Sequence, residues 1–290
     1  MRNILLWAAV TAWLAAAPGA ARADIVKKDP PVQRTLHFSG PGPHTLEVRT
    51  ISGNVRIEAH DGRDVIMTTT RTTAAETDAD FAAAQREVTF EVADGAATIK
   101  AIARYEDGET CGEEHPRRRP GHDWPDYQVR YDFVIKVPRD TRLVVCTIND
   151  GHVDVSGTRA DFELHSVNGP ISFADMGGSG EAITVNGGVK GSFAAAPRAD
   201  SVFKTINGSI VLTLPADFAA DVNMKTFNGG LYTDFDSQAL TAPQPIAAER
   251  KGARTIYQSN SFARVRIGNG GPRMTLDTLN GDVRVLRAAH

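Results

Sequence analysis

Between residues 111 and 123 the sequence crowds Cys111, Glu113, Glu114, His115, His122 and Asp123. Thiolate, imidazole and carboxylate are the ligands of zinc and related transition metals. Their spacing matches no compact metal motif, however. Pro116 and Pro120 disfavour a helix that would align them, and Arg117, Arg118 and Arg119 would repel a cation. The segment therefore reads as a solvated surface loop, with no metal or other cofactor expected. A second chemical candidate is the pair Lys204 and Lys225, which occupy equivalent places in consecutive copies of a repeat. Stacked as neighbouring strands they would stand about 4.8 Å apart, a face suited to an anionic glycan or phosphate. For catalysis there is no G-x-S-x-G, H-E-x-x-H, P-loop or dinucleotide fingerprint, and no catalytic residue is assigned.

The first residues bear on which compartment these groups meet. Arg2, the apolar run from Ile4 to Ala17, and the small-residue sequence Ala21-Arg22-Ala23 have the form of a secretory signal peptide over residues 1–23. No later stretch is apolar for long enough to span a bilayer as a helix, so no transmembrane segment is expected in the mature chain. Removing the leader leaves 30 basic against 35 acidic residues, a net charge of −5. That balance offers no basic footprint for nucleic acid. An exported chain meets an oxidising compartment, where its two cysteines, Cys111 and Cys146, are expected to form a disulfide.

What must position all these groups is an internal repeat. Seven copies turn at Ser52, Asn149, Asn168, Asn186, Asn207, Asn228 and Asn280, each with a glycine one or two residues later. Two positions before the turn stands only Thr or Ser: Thr50, Thr147, Ser166, Thr184, Thr205, Thr226 and Thr278. Four positions before it the residue is always apolar, from Val48 and Val145 to Phe203, Met224 and Leu276. Between them runs a mostly polar column that includes Arg49, Cys146, His165, Lys204, Lys225 and Asp277. This is period-two alternation, and it resumes after each turn, so each copy holds two short strands with one buried face.

Successive turns from 149 to 228 lie 19, 18, 21 and 21 residues apart. Two strands and two turns in that length make one coil of a β-solenoid, stable only against its neighbours. The competing reading is a string of Asn-Gly hairpins with type I′ turns. In the solenoid, Asn is expected to tolerate the left-handed backbone region and to bond a stacked Asn, Gly to sit where a Cβ would clash, and the hydroxyls to satisfy backbone groups at the corner. Two gaps interrupt the array. The first holds a helix over 78–87, capped by Thr77 or Asp78, which could flank or cap an open end, and a loop insertion over about 106–126. The second is a Pro-rich excursion over about 236–253.

The segments "YDFVIKVPRDTRLVVCTINDGHVDV", "SVNG", "TVNG", "TINGSI" and "IGNGGPRMTLDTLNGDVRV" resemble a family of exported bacterial proteins, a domain of unknown function catalogued as a candidate adhesin. The resemblance spans roughly residues 34–287 and implies a β-helical shape with no catalytic residues to carry over. The sequence is thus read as an all-β, single-domain β-solenoid over 24–290. Its expected role is a non-enzymatic envelope or surface protein that binds a cell-envelope polymer or protein in an adhesin-like way, or serves as a scaffold. The alternatives are a periplasmic partner in an envelope-stress system and a polysaccharide-active enzyme.

Overall fold

The computed structural model describes residues 25–105, 110–112, 126–240, 247–251, 254–258 and 262–289. The leader lies outside them, as does most of the 106–126 insertion with Glu113, Glu114, His115, His122 and Asp123. In chain order the elements are β1 (Ile25–Lys28), β2 (Val32–Leu36), β3 (His44–Arg49), β4 (Val55–His60), β5 (Val65–Ala75), α1 (Asp78–Glu87), β6 (Thr89–Ala93), β7 (Thr98–Arg104) and β8 (Tyr127–Pro138). Then come β9 (Thr141–Asn149), β10 (Val153–Ser156), β11 (Phe162–Asn168), β12 (Ile171–Met176), β13 (Gly180–Ile183), β14 (Val189–Phe193), β15 (Ser201–Asn207), β16 (Ile210–Leu214), β17 (Ala220–Asn228) and β18 (Leu231–Thr233). The last are β19 (Ser237–Ala239), β20 (Ala247–Lys251), β21 (Arg254–Gln258), β22 (Ala263–Ile267), β23 (Arg273–Asn280) and β24 (Val283–Arg287).

The fold is all-β, with one described helix and two large mixed sheets, neither closed into a barrel. The first sheet runs β1-β5-β8-β4-β10-β12-β14-β16-β24-β18, with β2 also on β5. The second runs β19-β22-β17-β23-β15-β13-β11-β9-β3-β7-β6. Within each copy of the repeat, the strand before the asparagine lies in the second sheet and the strand after it in the first. Copies pair in parallel with their counterparts, residue for residue: Leu164 beside Val145 and Ala182, and Val155 beside Ile57 and Phe173. Parallel pairing between copies, rather than antiparallel pairing within one, rules out the string of hairpins.

The core lies between the sheets because period-two alternation gives each strand one apolar face. Phe162, Phe173, Phe193 and Phe203 form an aromatic column at its middle, with neighbouring ring centroids 5.4 to 6.3 Å apart. Gly191 makes room for it, since a Cβ there would stand 2.0 Å from the Phe173 ring. At the end of the stack nearer the N-terminus the long antiparallel pair β5–β8 extends the first sheet, and α1 packs on it through the buried Ala84. Thr77 caps α1, its hydroxyl accepting from the Asp80 N–H at 3.1 Å. β5 is paired with β1 and β2 on one side and β8 on the other, so the helix lies on paired strands and not over an open edge, which corrects its expected role as an end cap.

The order of copies in space departs from their order in sequence. The copy that turns at Asn280 lies between those that turn at Asn207 and Asn228. The 21-residue step from 207 to 228 has the length of one coil, but β17 and β18 lie one strand farther along than that step implies, and β23 and β24 fill the gap.

Candidate functional site

The corner between the two sheets is built from three stacked columns. At its rim the asparagine side chains form a continuous ladder. Nδ2 of Asn168 donates to Oδ1 of Asn149 at 3.1 Å, and the pattern repeats from Asn186 to Asn168, Asn207 to Asn186, Asn280 to Asn207, and Asn228 to Asn280, at 2.6 to 2.8 Å. Ser52 continues the row as a backbone bridge to Asn149. Beneath it, the hydroxyls of Thr184, Thr205, Thr226 and Thr278 donate to the carbonyls of Gly169, Gly187, Gly281 and Gly208, at 2.7 to 2.8 Å. These contacts satisfy corner backbone that the sheets leave unpaired.

The ladder asparagines end their strands, apart from Asn186, which forms isolated bridges to Asn168 and Asn207, and they are not left-handed: among described non-glycine residues only Asp150 and Asp175 have positive φ. The expectation that Asn occupies the left-handed region is therefore corrected. The ladder needs the carboxamide, which donates to one neighbour and accepts from the other. Glycine follows because each copy of the repeat presses on its neighbour. A Cβ on Gly169 would lie 1.9 Å from the Gly151 carbonyl oxygen, and one on Gly208 2.1 Å from that of Gly187.

The outer face of the second sheet carries the polar column in the spatial order Arg49, Cys146, His165, Ile183, Lys204, Asp277, Lys225. Lys204 and Lys225 are thus not neighbours, and the expected lysine face is corrected: Asp277 stands between them and opposes both. The alternation lysine, aspartate, lysine removes the like-charge contact that had suggested an anionic ligand. Lys225 also lies over the Phe262 ring, 5.6 Å from its centroid. Lys190 and Tyr232 lie in the first sheet, on the other wall.

At the far end of this face Cys146 is disulfide-bonded to Cys111. Arg49 donates from Nη1 to the Cys111 carbonyl at 2.6 Å and pairs with Glu47, which Lys100 also approaches at 3.4 Å. Burial pushes the Glu47 carboxyl up, but these cations more than offset it, and its pKa lies below the usual value. Asp132 behaves alike: burial raises it, while Arg130 and the Asn54 N–H, 3.0 Å away, lower it further. A carboxylate with a depressed folded pKa contributes stability above its unfolded pKa, about 4.3 for Glu and 3.9 for Asp, and that contribution is lost as pH falls through the folded value. Urea midpoints are therefore expected to drop as pH falls below about 4, and the Glu47→Gln/Asp132→Asn variant to show a shallower drop.

Three features of the surface escaped the sequence reading. The first is the column immediately before the turn: Ile51, Ile148, Val167, Val185, Ile206, Leu279 and Phe227 in spatial order. It faces outward beside the asparagine ladder, and its last three members are 44, 46 and 54 % exposed. Seven strands make a ridge about 29 Å long. The second is a cleft of about 730 Å³ at the opposite corner, where Arg139, Arg159 and Arg198 come together around Gly157, Gly177 and Gly178. Arg139 is held there by Asp61, to which its Nε donates at 2.6 Å. The third is the adjacent pair Glu163 and Glu181, each with a basic partner, Arg142 and His165 respectively.

No family model matches the chain, and no curated protein matches it. The resemblance to exported adhesin-like proteins therefore rests on the residues that carry it. Among solved structures, the crystal structure of a candidate cell adhesion protein from Clostridium sporogenes aligns with 91 % of this chain and 100 % of its own, at 8 % identity and a TM-score of 0.42. No described helix is long and apolar enough to cross a membrane.

Proposed function

We propose that the chain is a single-domain β-solenoid over residues 24–290, exported by its leader to the periplasm or cell surface, and that it acts as a non-enzymatic, adhesin-like binding protein or scaffold of the cell envelope. The solenoid reading is supported by residue-for-residue parallel pairing of successive copies in both sheets and by the asparagine and threonine columns that run through them. One observation carries the functional reading: the outward apolar ridge that ends in Ile206, Leu279 and Phe227. A row of exposed aliphatic and aromatic side chains costs solubility unless something covers it. Here the backbone ladder holds that row rigid, so a partner would meet a preformed surface and lose little entropy in ordering it.

The test is binding of the chain to isolated envelope and cell-surface material, with and without Ile206→Asp/Leu279→Asp/Phe227→Asp. Saturable binding that weakens at least tenfold in the folded variant is the expected result. Unchanged binding would remove the ridge from the account, and turnover of a glycan in the same samples would replace the binding reading with an enzymatic one.

A further inference from the structure

The coil that comes last in the chain is inserted between two that precede it. Residues 274–280 pair in parallel with 201–207 on one side, and 273–280 with 221–228 on the other. In the first sheet, β24 likewise separates β16 from β18. Among the described residues, the coil formed by β17 and β18 thus pairs in parallel with the rest of the stack only through β23 and β24. Thr278 donates to Gly208 on one wall of this slot, and Thr226 on the other wall donates to Gly281 of the insert, both at 2.8 Å.

The two walls also match each other. Phe203 and Met224, Thr205 and Thr226, and Asn207 and Asn228 repeat the same columns 21 residues apart. Direct closure of the slot would satisfy all three, but it would set Lys204 beside Lys225. The insert supplies Asp277 opposite both lysines, so charge selects the filled slot over the closed one. None of these contacts depends on which copy of the chain provides the insert. In the turn that leads into it Gly268, Gly270 and Gly271 all have positive φ, at 57°, 74° and 154°, and glycine has many alternative conformations. On its near side β22 is anchored antiparallel to β17, and Arg266 holds Asp221 by two hydrogen bonds of 2.8 and 3.0 Å.

We propose that β23 and β24 form an exchangeable coil that leaves its own slot by opening the 268–272 turn and fills the same slot in a second copy of the chain. Reciprocal donation closes a two-fold dimer, the low-cost route by which identical elements are exchanged. Ile206 and Leu279 are exposed lateral neighbours across the slot, so the Ile206→Cys/Leu279→Cys chain reports which copy fills it. Equal amounts of isotopically labelled and unlabelled full chain are refolded together at low and high protein concentration, then oxidised, sized by light scattering and mapped without reduction. The expected result is a species of twice the chain mass, growing with concentration, in which labelled and unlabelled chains are joined by 206–279 bridges. Bridges confined to single chains within any dimer would overturn the exchange. So would an unsubstituted chain that stays monomeric at every refolding concentration, a measurement that does not depend on the cysteine variant folding.

Discussion

Replacing Phe203 by alanine is expected to remove about 3–5 kcal/mol of stability. Phe203 is fully buried, and its ring lies 5.9 Å from that of Phe173 and 6.1 Å from that of Phe193. The vacated volume cannot be filled by sliding a neighbour, because backbone ladders on both sides of β15 fix the separation of the strands. The aromatic column would keep a hole at one end. Urea unfolding of the variant checks this against Phe227→Ala, where a ring 54 % exposed is lost and the change should stay within about 0.5 kcal/mol. Equal losses at the two positions would mean that the column is not the core.

Gly169→Ala is expected to cost about 3 kcal/mol, although it adds one methyl group at a turn. That methyl would stand 1.9 Å from the carbonyl oxygen of Gly151, and backbone cannot rotate aside as a side chain does. Gly169 is not among the residues of positive φ, so the cost comes from contact between coils and not from a dihedral that alanine dislikes. Separating the two copies locally would stretch the ladder bond from Asn168 to Asn149, 3.1 Å. Thermal unfolding of the variant measures the loss, and a change under about 1 kcal/mol would contradict close stacking at this corner.

Much of this architecture is legible in the sequence because stacking acts on columns. A residue type that recurs at a fixed offset from each turn meets its own kind in the neighbouring copy, so the threonines, the asparagines and the inward apolar residues announce their roles one copy at a time. The order of copies in space is not announced in that way. Asn207 and Asn228 have the spacing of successive coils, and only the pairing of Lys204, Asp277 and Lys225 betrays that another copy lies between them. Charge in one column out of several is a weak signal beside a regular period, which is why the lysine face looked continuous.

The candidate surface was less legible than the fold. The ridge residues were in plain view, apolar in every copy one position before the turn, and period-two alternation already placed that column outward with Arg49 and His165. It did not stand out because isolated exposed Val or Ile is ordinary, and only lateral stacking turns seven such residues into a ridge. The three arginines of the opposite cleft stand in "VPRD", "TRAD" and "PRAD", a recurrence hidden by coils of unequal length at that corner and by the copy with Gly177 and Gly178 that lacks an arginine.

The order of the copies in the sheets is the claim on which the corrected face, the ridge and the exchangeable insert all depend, and disulfide trapping tests it most directly. In the Ile206→Cys/Leu279→Cys chain the two positions are immediate neighbours across parallel strands, within the distance a disulfide spans. In Ile206→Cys/Phe227→Cys they are separated by β23, about two strand spacings or 9.6 Å apart. The account predicts rapid, near-complete bridging in the first chain and none between 206 and 227 in the second. Efficient bridging of 206 to 227, with none of 206 to 279, would contradict it.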